Sequence, residues 1–265
     1  MSFFENYKTL RFDRRGKVLT ITLNNPDKLN AFDELAHKEL SHVFVDAAED
    51  LESEVIVITG AGRAFTAGGN LDYMQELRDE PSLMHRTVRE AKRIVFTLLD
   101  CDKPVVVKVN GDAIGLGTTL ALLADVVISA DHAKLGDPHN NVALIAGDGG
   151  GIIWPQLIGY ARAKHYLFTG EMIKATEAAE MGLIHKAVPA DQLDAEVDAY
   201  VDRLLKMPIQ SVRWTKQTLN IPLKQLAHSM MDAGMAYEAL AGQTDDHGEA
   251  IAAFREKRKP VFSGK

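Results

Sequence analysis

The chain has 265 residues, 46% of them hydrophobic, enough to bury a sizeable core as one large domain or as a domain with an appendage. A net charge of −7 and a pI near 5.7 leave no global basic field for nucleic acid or an anionic membrane. Cys101 is the only cysteine, which excludes an intramolecular disulfide and a thiolate metal cluster; no window approaches a membrane span or a secretory leader, so the sequence reads as cytoplasmic.

In chain order, "KVLTITLN" (17–24) is a β-branched-rich strand. The turn "NNPDKLNAFD" follows, and Asp33 caps a predicted helix over 34–49 whose Ala36, Leu40, Val43, Phe44 and Ala47 share one face. "EVIVITG" (54–60) is apolar on both faces, which predicts a sheet covered on both sides. A helical stretch to about 101, a strand at 104–111, a glycine turn, a helix over 116–123 and the strand "DVVISAD" repeat the pattern. Units of this length predict an α/β fold with parallel pairing, without a strict internal repeat.

Beyond residue 150 the chain reads as mostly helical, punctuated by Pro189, Pro208 and Pro222. Pro155 inside a helical stretch predicts a delayed start or a kink. Thr244 or Asp245 caps a last helix that ends before Pro260. We divide the chain into a core over 1–200 and a helical oligomerisation subdomain over 201–265.

Two turns, "RAFTAGGNL" and "NGDAIGLGTTLALLAD", each follow a strand and open a helix. An amide at such a helix start points outward with the helix dipole behind it, and two of them converging on one oxygen form an oxyanion hole. Neither turn has the spacing of a P-loop or a dinucleotide fingerprint, which disfavours ATP and nicotinamide. His85, His132, His165, His185, His228 and His247 show no metal spacing, and no metal is expected. A third stretch, "GDPHNNVALIAGDGGG" (136–151), carries His139 and Asp148 around a glycine cluster. These two are either a reactive pair or a loop histidine and a helix cap.

Five blocks in order, "NNPDKLNAF", "VIVITGAGRAFTAGGNL", "KPVVVKVNGDAIGLGTTLALLADVVISAD", "GEMIKATEAAEMGLIHKAVP" and "HGEAIAAFREKRKPVF", resemble the crotonase (enoyl-CoA hydratase/isomerase) superfamily across nearly the whole chain. The resemblance implies a spiral of strand-strand-helix units with a helical trimerisation region, in a trimer or a dimer of trimers. It also implies an acyl-CoA thioester substrate, with coenzyme A entering as part of the substrate and no permanently bound cofactor. By position, the carbonyl-holding amides are those of Gly69 and Leu116. Backbone around Lys28, Leu29 and Ala67 is expected to meet the adenosine side, and Gly115, Thr119 and Glu238 are expected to border the substrate, although Glu238 alone reads as a surface helix residue.

The resemblance breaks at two positions. Where family hydratases carry two glutamates, this chain has Thr119 and His139, so ordinary two-carboxylate hydration cannot run unchanged. Asp148 is an added acid, and a carboxylate beside an imidazole is suited to general base work. A His/Asp pair before a "DGGGIIWP" turn is similar to the β-diketone hydrolase branch typified by 6-oxocamphor hydrolase, although that branch's oxyanion-side histidine would fall at Leu116. The resulting reading is an enoyl-CoA hydratase-like lyase in which His139, oriented by Asp148, acts as general base. Two alternatives stand beside it: hydrolytic retro-Claisen C–C cleavage of a β-diketone without coenzyme A, and a non-catalytic CoA-binding scaffold.

Overall fold

The computed structural model describes residues 4–265. In chain order these form β1 (Leu10–Arg15), β2 (Val18–Leu23), α1 (Glu34–Glu49), β3 (Val55–Gly60), α2 (Leu71–Asp79), α3 (Met84–Asp100), β4 (Val105–Val109), β5 (Ala113–Ile114), α4 (Leu116–Leu123) and β6 (Val126–Ala130). They continue with β7 (Lys134–Gly136), α5 (Gly150–Thr169), β8 (Ile173–Lys174), α6 (Ala175–Glu180), β9 (Lys186–Val188), α7 (Leu193–Leu205), α8 (Ile209–Ala241) and α9 (Asp245–Arg255).

The larger sheet has the order β1-β2-β3-β4-β6-β9, antiparallel at its β1-β2 edge and parallel elsewhere, as the repeated units predict. Its faces are both covered: Val18, Val55, Val57, Val106 and Ile128 pack with Leu193, Val197 and Val201 of α7, while Ile56, Ile58, Val105 and Val107 join the core built on α1, α3 and α4. The α1 face is the one expected, and Asp33 accepts a hydrogen bond from the Ala36 amide at 3.0 Å. The edge strand β1 escaped the sequence reading because "LRFDRR" interleaves charge with only two strong apolar residues.

After β2, β3, β4 and β6 the chain makes a second short extended segment before its helix. Phe32 bridges Gly69, Thr66 bridges Ala113, and β5 pairs with β7, so these segments form an inner row beside the main sheet. This is the strand-strand-helix spiral that the resemblance implies. The inner row delivers successive helix N-termini to one rim of the molecule, and the candidate site lies there.

Two prolines bear on helix shape. α5 carries the kink expected of its proline-containing stretch, but the kink falls at Gly159, at φ 77°, and not at Pro155 itself. Pro222 does not end a helix: α8 runs through it for 33 residues, and Thr218, the residue whose carbonyl loses its helical partner, is exposed. The 200/201 division falls inside α7. Thr244 is the cap of α9, accepting from the His247 amide at 3.2 Å. Among the described residues, no helix is long and apolar enough to cross a membrane.

Candidate active site

Gly69 lies between its bridge to Phe32 and the start of α2; Leu116 is the first residue of α4. Gly68 and Gly115 make these turns with φ of +80° and +56°, conformations that suit glycine. A Cβ on Gly68 would lie 2.8 Å from the Ile114 carbonyl oxygen, so the two turns are in close contact. Among the described residues neither the Gly69 nor the Leu116 amide has an acceptor, which leaves both free for a ligand oxygen. Both residues line a cavity of about 90 Å³ together with Phe32, Tyr73, Leu144 and Met235.

His139, Asp148 and Glu238 line the same cavity. His139 opens a short 3-10 turn after β7, Asp148 precedes the glycines that start α5, and Glu238 comes from the last turns of α8. His139 Nε2 lies 3.7 Å from Asp148 Oδ2, an ion-pair distance that is too long for a hydrogen bond. The other ring nitrogen, Nδ1, is hydrogen-bonded to Asp137 Oδ1. Asp137 therefore fixes the ring, and Asp148 does not have the orienting position that the sequence reading gave it.

Asp137 was missed, although it stands two residues before His139 in "GDPHN". Its side chain is fully buried at the end of β7, with Oδ2 unpaired and pressed against Gly150. Asp148 is not the helix cap either: Gly149 holds that position, and the Asp148 carboxylate instead accepts from Thr119 Oγ1 at 3.3 Å and from the Gly150 amide at 3.4 Å. Thr119 is thus buried behind Asp148 and does not line the cavity.

Burial alone would lower the His139 pKa, but Asp137 and Asp148 outweigh it and hold the ring well above its ordinary 6.5. Burial raises Asp148, while His139 opposes that shift and Asp137 adds to it. Both groups thus hold a proton more tightly than they would in water, and they stand 3.7 Å apart. Burial, reinforced by Asp148, pushes Glu238 up to about 8. Its Oε2 is buried without a partner, so the surface-residue reading of Glu238 is overturned. Ligand atoms of Asp137, His139 and Asp148 all fall within 4.8 Å of one another, and the Asp137–His139 hydrogen bond engages Oδ1 and Nδ1 of that group.

Lys28 and Leu29 form a tight turn, with the Ala67 amide bonded to the Leu29 carbonyl at 2.9 Å and the Lys28 and Leu29 amides bonded to Asn25 and Pro26. A ligand here would meet carbonyl oxygens and the exposed Lys28 side chain. Of the basic tail, Arg255 pairs with Asp72 at 3.0 Å, and Arg258 with Glu249 and Glu256.

The two-strand spiral is the fold that the resemblance implies, and the comparisons agree with it. The enoyl-CoA hydratase/isomerase family model matches residues 13–265. The chain is 33% identical to the 1,2-epoxyphenylacetyl-CoA isomerase of Escherichia coli strain K12, over 94% of this chain and 95% of that one. An enoyl-CoA hydratase/isomerase from Mycobacterium paratuberculosis superposes with a TM-score of 0.89 at 37% identity, over 93% of this chain and 99% of that one. A β-diketone hydrolase from the cyanobacterium Anabaena sp. PCC 7120, solved with (S)-3-oxocyclohexyl acetic acid, does so with a TM-score of 0.86 at 28% identity, over 92% and 97%. The chain belongs to the enoyl-CoA hydratase/isomerase family.

Proposed function

We propose that this protein adds water to an enoyl-CoA, or removes it in the reverse direction, with the His139/Asp148 pair replacing the two usual glutamates. The observation that carries this reading is the shared cavity wall: two acceptor-free amides, Gly69 and Leu116, and an imidazole beside a carboxylate, His139 and Asp148, 3.7 Å apart. The thioester oxygen takes the two amides, each supplying on the order of 3 kcal/mol as negative charge develops there. Water attacks the β-carbon as its proton passes to Asp148, and the alkene electron pair moves toward the thioester oxygen. His139, held by Asp137, then gives a proton to the α-carbon, and the pair is restored when the water proton passes from Asp148 to Nε2.

Coenzyme A enters this scheme as part of the substrate, near Lys28, Leu29 and Ala67, and no resident cofactor is needed. Exposed Trp214, Leu219, Tyr237, Leu240 and Phe254 on α8 and α9 suit burial between copies of the chain, in a trimer or a dimer of trimers. A site kept only as a scaffold has no use for three carboxylates crowded around one imidazole, because burying them costs stability.

Hydrolytic C–C cleavage of a β-diketone is the second reading, supported by the His139/Asp148 pair and by the likeness to the Anabaena hydrolase. There, water attacks a ring carbonyl as its proton passes to Asp148, the C–C bond breaks with its electron pair left on the α-carbon, His139 protonates that carbon, and the pair is restored when the proton on Asp148 passes to His139. Assaying the protein with crotonyl-CoA and with a cyclic β-diketone separates the two: turnover of the thioester alone supports hydration, and turnover of the diketone alone refutes it.

A further inference from the structure

A second imidazole–carboxylate pair lines the same cavity. His37, on α1, is 7% exposed and its Nδ1 is hydrogen-bonded at 2.9 Å to Oε2 of Glu90 on α3, itself 8% exposed. Arg86 steadies this pair from the surface side, lying 2.7 Å from Glu34 and 3.9 Å from Glu90. Beside it, the Tyr73 hydroxyl and Thr87 Oγ1 are hydrogen-bonded at 2.8 Å, and both residues also line the cavity.

With Nδ1 committed to Glu90, Nε2 is the free hydrogen-bonding atom of His37, and among the described residues it has no partner. Nε2 is not sealed off from the cavity, so an oxygen of a bound ligand can reach it and pair with it. Phe32, Met84 and Ala91, which line the same cavity, offer no side-chain polar group. The scheme above uses none of His37, Tyr73 or Thr87.

We infer that His37, oriented by Glu90 and flanked by Tyr73 and Thr87, recognises a hydroxyl or carbonyl oxygen on the acyl group, away from the thioester. The preferred substrate is then an oxygenated acyl-CoA and not a plain alkyl one. This inference rests on the acyl-CoA reading. A site built around a buried hydrogen-bond partner discriminates strongly against an analogue that leaves it unpaired, whereas an apolar pocket distinguishes a hydroxyl from a methyl weakly.

The test compares ω-hydroxy enoyl-CoA esters of four to six carbons with isosteric enoyl-CoA esters in which methyl replaces the hydroxyl. The assay follows hydration, and calorimetry follows binding of the corresponding saturated esters. For at least one length we expect a preference for the oxygenated ester of roughly 100-fold or more in kcat/KM, with the same order in affinity. His37→Leu should reduce that preference to below about tenfold, and His37→Gln, which keeps a hydrogen-bonding group, should restore part of it. Thr87→Val gives a second reading of the preference without altering the His37–Glu90 pair.

Equal kcat/KM and equal affinity for the two series overturn the inference, as does a His37→Leu variant that folds and keeps the full preference. If neither series turns over, hydration is refuted, and the affinity comparison alone then decides the role of His37. A His37–Glu90 pair that serves only to pin α1 to α3 would lower thermal stability on substitution and leave the preference unmoved.

Discussion

The Thr119 hydroxyl donates to Asp148 Oδ1 at 3.3 Å, so the residue that stands where family hydratases have their first glutamate now supports the added acid. The shorter side chain on α4 leaves room for a carboxylate delivered from the start of α5. Gly149 makes that delivery possible: its φ is +124°, and a Cβ there would approach Thr119 Cγ2 to 2.9 Å. The negative charge has moved from one helix to the next. Asp148→Asn keeps the size and removes the charge, so turnover should fall by about 10²–10⁴ while substrate affinity and melting temperature change little. Thr119→Val removes one hydrogen bond, of about 1 kcal/mol, and should lower kcat roughly fivefold, with Thr119→Ser restoring it. Steady-state kinetics on the three variants checks the order.

Asp137 controls the ring that Asp148 faces. The Asp137–His139 hydrogen bond ties Nδ1 to β7 and leaves Nε2 for the cavity. Asp137→Asn keeps the shape but offers an amide that can present its N–H to the ring and select the wrong tautomer. The expected result is a loss in kcat of about 10³ or more with KM nearly unchanged, together with an NMR shift of the His139 imidazole titration toward lower pH. A variant with the parent's kcat and titration would remove Asp137 from the mechanism.

Much of the fold was legible because strands β2, β3, β4 and β6 and helices α1 and α4 combine strong periodicity with caps and glycine turns. The short inner-row strands were not, because two or three residues held by backbone bridges leave no pattern. At the site, the Gly69 and Leu116 turns and the His139/Asp148 pair could be found by position. Asp137 was overlooked because an acid before a proline reads as turn chemistry, and only its burial distinguishes it. His37 and Glu90 come from helices about fifty residues apart, on a face where each side chain alone looks like an ordinary polar helix residue.

Glu238 makes stability and activity depend on pH in a defined direction. Its folded pKa of about 8 lies above the ordinary 4.5, so the folded state binds this proton more tightly than the unfolded chain does. Its contribution is therefore fully present below about pH 4.5, declines as pH rises, and is lost once pH passes about 8. Glu238→Gln, which cannot ionise, should match the parent near pH 5 and exceed it in unfolding free energy by a few kcal/mol near pH 9. In the proposed reaction, ionisation of Glu238 also adds a negative charge to the cavity in which the enolate would form. The parent's kcat should fall above about pH 8, and that limb should be absent in the variant. Chemical denaturation and pH–rate profiles measure the two effects separately.

The glycine cluster that opens α5 gives the last prediction. A Cβ at Gly150 would lie 2.1 Å from Asp137 Oδ2, and one at Gly147 would lie 2.4 Å from the Gly234 carbonyl and 2.8 Å from Glu238 Oε2. These glycines admit two buried carboxylates, one from β7 and one from α8, to a single helix start. Gly150 is helical, so alanine there gains about 1 kcal/mol of helix propensity. The clash with Asp137 exceeds that gain, because overpacking a closed site costs about 1–3 kcal/mol and here forces a carboxylate to move. Gly150→Ala should therefore lower the melting temperature and reduce kcat as Asp137→Asn does, because Asp137 can no longer hold His139. The double variant Gly150→Ala/Asp137→Asn should be little worse in kcat than Asp137→Asn alone, since both changes remove the same support. Full multiplication of the two losses would mean that Gly150 acts on turnover by some route other than Asp137.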